Sequence, residues 1–189
     1  MTDLPLAFAL GRCPRMAMRA QQTDNRREKR SFMNKFFKVS RGQFVAAGGD
    51  EKAYEGIKLP VRATKGSAGY DFFAPSAFTL WPGDTVKIAT GVRCAMDEDR
   101  VLLIFPRSGL GFKYRLALDN TVGVIDSDYF GADNEGHIMI KMTNNGAREL
   151  SVAAGEAFAQ GVFVRYGLTD DDDAEGVRTG GFGSTSARG

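Results

Sequence analysis

Short hydrophobic segments, rather than long amphipathic stretches, make up most of the chain from about Phe36 onward. Some of them alternate polar with apolar residues, which is typical of a half-buried strand, and others are brief apolar runs that end at a turn residue. The clearest three segments are Thr85–Thr90, Arg100–Phe105 and His137–Met142. We therefore predict β-strands at these positions, with short helical turns only at Ser40–Ala47 and Leu110–Leu118.

Turn-forming residues separate the predicted strands. Trp81–Asp84 contains a Pro-Gly pair and Asn144–Gly146 reads Asn-Asn-Gly, and both sequences are typical of turns between strands. Many short strands at close spacing, with no long stretch of helical period, predict an all-β fold. We expect a distorted jelly-roll barrel or sandwich with one or two short helices.

The composition is that of a globular chain that can bury a sizeable core. Of the 189 residues, 43% are hydrophobic and 25% are charged. No apolar run reaches the roughly 18 residues that a membrane-spanning helix needs. The two cysteines have no metal-ligand spacing, which is typical of a reducing compartment. We therefore expect one cytoplasmic domain without membrane contact.

Charge is distributed unevenly along the chain. Residues 1–32 carry seven basic and three acidic residues, although the net charge of the whole chain is only +2. This leader lacks interleaved aromatic residues, so we expect no direct nucleic-acid binding. We predict three parts: a basic, disordered extension over 1–32, a β domain over 33–169, and an acidic hinge with a mobile, glycine-rich C-terminal arm over 170–189.

The C-terminal segment GGFGSTSARG allows two interpretations. Its glycines disfavour regular structure and indicate a flexible linker. The same segment could instead close over a ligand, with backbone N–H groups and hydroxyls contacting phosphate and Phe182 stacking on a flat ring. The acidic run Asp170–Asp173 that precedes it is typical of a solvated hinge.

A polar cluster over Leu118–Gly131 carries the strongest candidate chemistry. Its pattern predicts a strand, a turn and a second strand, in which Gly123 permits close approach of a ligand while Val124 and Ile125 hold the strand in the core. Asp126 then lies at the end of a rigid strand, with no obvious basic partner in sequence. Such a carboxylate can act as a general base, although aspartates at this kind of position also cap turns.

Other segments have the composition of an anion site. Pro106–Leu110 exposes a guanidinium, a hydroxyl and a glycine N–H after a buried strand, which is typical of phosphate binding. Asp71 follows a tight glycine, and Gln160 is expected at the end of a strand, where its amide could donate to a phosphoryl oxygen. His137, the only histidine, lies in an apolar segment, which favours an ordinary packed or surface imidazole over a catalytic one.

Five motifs occur in order between Ala68 and Thr185: AGYDFFAP, PRSGL, LDNTVGVIDSDYFG, GEAFAQ and RTGGFGST. In this order and spacing they resemble the motifs of the trimeric-type dUTPase family. The resemblance implies a jelly-roll homotrimer with shared active sites that hydrolyses dUTP to dUMP and pyrophosphate with Mg²⁺. Such a reaction would limit uracil in DNA and supply dUMP for dTMP synthesis.

The resemblance also implies roles for the residues of the third motif. Asp126 resembles the base that activates the water attacking the α-phosphorus. Asn120, with the backbone of Gly123–Ile125, would recognise uracil and leave no room for the methyl group of thymine. Tyr129 resembles the residue that packs beneath the sugar and excludes a ribose 2′-hydroxyl.

The remaining motif residues are implied in phosphate, metal and base binding. Those expected to bind the substrate, chiefly at its phosphates, are Arg107, Ser108 and Gly109 of a neighbouring subunit, Gln160, and Arg178, Gly183, Ser184 and Thr185. Asp71 would contact Mg²⁺ through a water, and Phe182, on the arm of yet another subunit, would stack on uracil.

Arg178 and the hairpin that follows Tyr129 depart from the family pattern. Arg178 is separated from the paired glycines by one residue rather than the usual two, and Asp133–Gly136 lengthen the hairpin after Tyr129.

We consider two alternative functions. One alternative is a relative that deaminates dCTP, which would need a glutamate base, and none stands in the hairpin before Tyr129. The other is a nucleotide-gated regulatory protein that binds a protein partner, as some phage-encoded members are thought to do.

Overall fold

Strands form most of the described part of the chain. The computed structural model describes residues 34–176, 178 and 180. Its strands are β1 (Lys35–Lys38), β2 (Tyr70–Phe73), β3 (Phe78–Leu80), β4 (Thr85–Ala89), β5 (Val92–Ala95), β6 (Arg100–Pro106), β7 (Leu116–Leu118), β8 (Gly123–Asp126), β9 (Met139–Asn144), β10 (Leu150–Val152) and β11 (Ala157–Arg165). Within these residues no helix is long and apolar enough to cross a membrane. The extension predicted over 1–32 lies outside the described residues.

The described strands pair in antiparallel fashion around one core. The largest sheet has the order β2-β11-β6-β8, the next has the order β4-β9-β7, and β1-β5 and β10-β3 form two-stranded sheets. One buried cluster joins the two larger sheets, since it includes Leu102 and Ile104 of β6 and Ile140 and Met142 of β9. The prediction of an all-β fold with one or two short helices is confirmed.

The helical turn predicted at Ser40–Ala47 is present as helix α1 (Arg41–Ala46). Ser40 caps this helix, because its hydroxyl accepts a hydrogen bond from the Gln43 N–H at 3.1 Å. The helix places Phe44 in the core, where the residue is only 1% exposed. A 3₁₀-helix follows at Glu51–Ala53.

The helical turn predicted at Leu110–Leu118 is wrong in its bounds. Helix α2 spans Ser108–Tyr114, and Arg115 ends it in the left-handed conformation with φ 51°. The next residues form β7, in which both leucines are buried and the alanine between them is not. A burial period of two suits a strand that pairs with β9, and this pairing overrides the helical pattern.

The strand predicted at His137–Met142 begins only at Met139. The His137 N–H donates to the Asn134 carbonyl at 3.1 Å, so the backbone of His137 belongs to a turn and not to the strand. The imidazole is completely buried, and its Nε2 accepts a hydrogen bond from the Gly91 N–H at 2.8 Å. Burial lowers the pKa of His137 to about 4, which keeps the ring neutral near pH 7. The interpretation of His137 as a packed imidazole is confirmed.

Candidate active site

The sheet β2-β11-β6-β8 has one face on the core and an outer face on the other side. Along β6, Leu102 and Ile104 are buried, whereas Leu103 between them points to the outer face and is only half-buried. The register pairs Leu103 with Val124 of β8 and with Val162 of β11, so all three side chains lie on the outer face. The middle of the outer face is therefore apolar.

The prediction that Val124 holds its strand in the core is wrong. Val124 is 54% exposed, whereas Gly123 and Ile125 on either side of it are buried. Gly123 faces the core so closely that a Cβ there would lie 3.0 Å from the Cβ of Ile104. Successive strand residues point to opposite faces, and an apolar residue next to a buried position can therefore lie outside.

One end of the outer face carries Asp71 and Arg107. The Arg107 Nε lies 3.4 Å from Asp71 Oδ1, and 18% of the Asp71 side chain is exposed. Ser108 and Gly109 follow at the exposed start of α2. Together with Gln160, which the register pairs with Asp71, these residues are here called the Arg107 cluster.

Gln160 lies inside β11 and not at the end of a strand, so that part of the prediction is wrong. On its other side it pairs with Phe105 of β6. Its Nε2 donates to the Pro106 carbonyl at 3.1 Å, directly before Arg107 in sequence. This hydrogen bond holds the Gln160 amide next to Arg107, with which it is predicted to bind phosphate.

The other end of the outer face carries Asp126, the last residue of β8. Its side chain makes no capping hydrogen bond to the 3₁₀-helix Ser127–Gly131 that follows, so the turn-capping interpretation of Asp126 is wrong. Instead the Arg178 Nη2 donates to Asp126 Oδ2 at 2.7 Å, and the Arg178 Nε lies 3.2 Å from Asp128 Oδ1. The Arg178 guanidinium also lies 5.4 Å from the centre of the Tyr129 ring. These four residues, Asp126, Asp128, Tyr129 and Arg178, are here called the Asp126 cluster.

The basic partner of Asp126 comes from a distant part of the sequence, since Arg178 lies 52 residues further along the chain. Only 14% of the Arg178 side chain is exposed, against 47% of the Asp126 side chain. A guanidinium with little access to water interacts strongly with a carboxylate. Arg178 therefore holds Asp126 in an ion pair.

Tyr129 is 2% exposed, and both hydrogen-bonding functions of its hydroxyl are used. The hydroxyl donates to the His137 carbonyl at 2.8 Å and accepts from the Asn134 Nδ2 at 2.7 Å. Burial raises the pKa of Tyr129, so the hydroxyl stays protonated and continues to donate. No sequence motif indicates a role for Asn134, whose only signal is its place in the lengthened hairpin Asp133–Gly136.

A cavity of about 370 Å³ opens beside the turn between β7 and β8. Three of the residues predicted to recognise the base, Asn120, Gly123 and Ile125, line it. Its other lining residues are Lys87, Ile104, Leu118, Asp119, Met139, Ile140 and Lys141. A largely apolar cavity with a few polar groups is typical of a site for a small ring-shaped ligand.

The cavity is also lined by three charged residues that the sequence does not predict as site residues: Lys87, Asp119 and Lys141. The Lys141 Nζ lies 2.9 Å from Asp119 Oδ2, and the Thr143 hydroxyl donates to Asp119 Oδ1 at 2.6 Å. The hydrogen bond from Thr143, and then Lys141, lower the pKa of Asp119. Lys87 faces Lys141 across β4 and β9. Only the strand register, which the sequence does not reveal, brings these residues together.

The Asp126 and Arg107 clusters lie far apart within one chain. Asp126 pairs with Val101 and Gln160 pairs with Phe105, both on β6. Four residues of an extended strand span ~13 Å. A single chain therefore does not place Asp126 beside the Arg107 cluster.

Part of the predicted site lies beyond the described residues. Phe182, Gly183, Ser184 and Thr185 are outside them, and so is most of the arm. Within residues 34–176, 178 and 180, no group of three or more His, Cys, Asp or Glu side chains could hold a metal ion.

Known proteins are similar to this chain in both sequence and fold. The family model dUTPase matches residues 55–186. A deoxyuridine 5′-triphosphate nucleotidohydrolase of Lactococcus lactis subsp. lactis is 42% identical over 135 residues, covering 70% of this chain and 90% of that protein. One from Hahella chejuensis is 39% identical over 147 residues, covering 74% of this chain and 93% of that protein. The crystal structure of a dUTPase from Streptococcus mutans has 34% sequence identity and a TM-score of 0.57, and covers 71% of this chain and 98% of that one.

The chain therefore belongs to the dUTPase family, a family of dUTP diphosphatases. The resemblance predicted from the five motifs is confirmed.

Proposed function

We propose that this chain hydrolyses dUTP to dUMP and pyrophosphate in active sites shared between the copies of a homotrimer. The observation that carries the proposal is the placement of Asp126 and the Arg107 cluster at opposite ends of one sheet face, ~13 Å apart along β6. The relatives named above are deoxyuridine triphosphate nucleotidohydrolases. The reaction would take place in the cytoplasm, limiting uracil in DNA and supplying dUMP for dTMP synthesis.

The apolar middle of the outer face supports assembly from several copies. Val124 is 54% exposed and Val164 of β11 is 39% exposed. Removing such surface from water is favourable by about 25 cal/mol per Å². Because the Asp126 and Arg107 clusters flank this apolar middle, neighbouring copies that cover it would bring Arg107 of one chain towards Asp126 of another.

The cavity beside Asn120 supports recognition of a pyrimidine. The side-chain amide of Asn120 can donate to a ring carbonyl and accept from a ring N–H, the pattern that uracil presents. Apolar residues such as Ile125 and Met139 provide walls for the flat ring. We expect the turn that leads into Gly123 to leave no room for the methyl group of thymine.

Asp126 would act as the general base. It would take a proton from a water as that water attacks the α-phosphorus, and pyrophosphate would leave. The Arg178 guanidinium donates to Asp126 at 2.7 Å, and it would turn to the substrate phosphates when nucleotide binds. The triphosphate, with about four negative charges near neutral pH, competes for the guanidinium and would release Asp126.

Mg²⁺ is implied by the family, and the residues present fit it. Asp71 supplies a carboxylate within the Arg107 cluster, and Mg²⁺ is commonly held by one or two carboxylates, waters and substrate phosphates. We infer that Asp71 holds the ion through a water. The bound ion would neutralise phosphate charge, while Arg107, Ser108, Gly109 and Gln160 would bind the phosphate oxygens directly.

The C-terminal arm would close the site. Asp170–Asp173 are exposed and lie outside any helix or strand, which suits a hinge. Beyond this hinge, Phe182 would stack on uracil, and Gly183, Ser184 and Thr185 would contact the phosphates. Closure of such an arm excludes bulk water from the reacting groups.

Pyrophosphate release from four nucleotides tests the proposed function. We expect Mg²⁺-dependent release from dUTP, with kcat/KM lower by about 10² or more for dTTP, dCTP and UTP. The methyl group, the amino group and the 2′-hydroxyl are the respective reasons for rejection. Equal kcat/KM for all four nucleotides would contradict the proposal, and ammonia release from dCTP would identify a deaminase instead.

A further inference from the structure

The lengthened hairpin after Tyr129 folds back onto that residue. The Ala132 N–H donates to the Tyr129 carbonyl at 3.1 Å, and the Glu135 N–H donates to the Ala132 carbonyl at 2.8 Å. Gly136 has a φ of 66°, and a Cβ there would lie 2.5 Å from the Tyr129 carbonyl oxygen. Only glycine fits at this position, because any side chain would collide with the backbone of Tyr129.

The amide of Asn134 is fixed at both ends. Its Oδ1 accepts a hydrogen bond from the Gly136 N–H at 3.2 Å, and its Nδ2 donates to the Tyr129 hydroxyl at 2.7 Å. The Tyr129 hydroxyl in turn donates to the His137 carbonyl at 2.8 Å. With its single donor and its acceptor both engaged, the hydroxyl holds the far end of the Tyr129 ring in one place.

The hairpin is also anchored to the rest of the domain. Glu135 accepts two hydrogen bonds from Ser40 at the start of α1, from its N–H at 2.7 Å and from its hydroxyl at 2.6 Å. Arg93 of β5 donates to the Phe130 carbonyl at 2.6 Å and lies over the Phe130 ring, with its Nη1 4.0 Å from Glu135. The support behind Tyr129 is therefore continuous with α1 and β5.

We propose that Asn134 is a positioning residue for sugar selection, which holds the Tyr129 ring at the distance that admits a deoxyribose and excludes a ribose 2′-hydroxyl. This inference rests on the proposed function, which places Tyr129 beneath the sugar. The Tyr129 ring is buried and lies beside the Arg178 guanidinium, and without the hydrogen bond from Asn134 its far end can shift to make room for the extra hydroxyl. Asn134 thus contributes to specificity without touching the substrate.

The test compares kcat/KM for dUTP and UTP in four proteins: wild type, Asn134→Ala, Tyr129→Phe and the double variant. We expect Asn134→Ala to lower the dUTP to UTP ratio by about tenfold, the size of one lost hydrogen bond. In the Tyr129→Phe background, which lacks the hydroxyl, the same change should have no further effect. A purely structural role would instead lower kcat/KM for both nucleotides by the same factor.

Two further variants keep the test decisive. Asn134→Ser retains a short acceptor for the Gly136 N–H but does not reach the Tyr129 hydroxyl, so we expect the same loss of selectivity without loss of the turn. Asp133→Ala, at an exposed neighbouring position, should leave the ratio unchanged. The inference would be overturned if both Asn134 variants kept the wild-type ratio. It would also be overturned if Asn134→Ala lowered the ratio as much in the Tyr129→Phe background as in the wild type. Neither result would contradict the proposed function. A wild-type chain without preference for dUTP over UTP would overturn the proposed function as well.

Discussion

Replacing Asp126 with asparagine should lower kcat for dUTP by about 10²- to 10⁴-fold, the usual contribution of a general base. Asparagine has the shape of aspartate but cannot take up the proton that the attacking water must lose. The residues expected to recognise uracil and to bind the phosphates are unchanged, so the affinity for nucleotide should survive. Steady-state kinetics and calorimetric titration with dUTP would separate the two effects.

The matched control for this variant is Asp133→Asn, which removes a carboxylate from the exposed hairpin that follows the Asp126 cluster. Its kcat should remain close to the wild-type value. If Asp126→Asn turned over dUTP as fast as this control, Asp126 would not be the base.

Deleting residues 180–189 should abolish efficient turnover while leaving the β domain folded. The buried hydrophobic residues of the described structure end at Ala159, far before the deletion, so the core loses nothing. The deletion removes Phe182, and stacking of a base on an aromatic ring contributes about 1–3 kcal/mol. It also removes the hydroxyls of Ser184 and Thr185 and the exclusion of bulk water that closure provides.

Thermal unfolding and dUTP kinetics, measured on the same samples, would test this expectation. The melting temperature should match that of the full chain, while kcat/KM falls. Phe182→Ala is the informative control, because it removes the ring and keeps the arm, and it should show an intermediate loss. Unchanged kinetics after the deletion would show that the arm does not act as a lid.

The local sequence pattern predicts those strands whose residues alternate or end at a turn residue. Thr85–Ala89 and Arg100–Pro106 lie where the pattern places them. The pattern fails where a distant strand decides the outcome. Leu116–Leu118 pairs with β9 although its local sequence favours a helix, and Val124 lies outside because its neighbours face the core.

The candidate site, like the fold, is only partly predictable from the sequence. The motifs predict functional roles for Asp71, Arg107 and Asp126, because each follows a tight glycine or a predicted strand. They do not reveal the contact of Arg178 with Asp126 or that of Asn134 with Tyr129. Both contacts depend on how the chain returns to itself in three dimensions, and no spacing along the sequence encodes them.

Mixing two inactive variants tests the central claim, a dUTP-hydrolysing site shared between chains, most directly. Asp126→Asn lacks the base and Arg107→Ala lacks a phosphate ligand, so each alone should release pyrophosphate from dUTP very slowly. When the two are co-expressed and purified as mixed oligomers, random assortment should leave about a quarter of the sites with both residues, and about a quarter of the wild-type activity should return. Activity no higher than that of the separate variants would contradict the account.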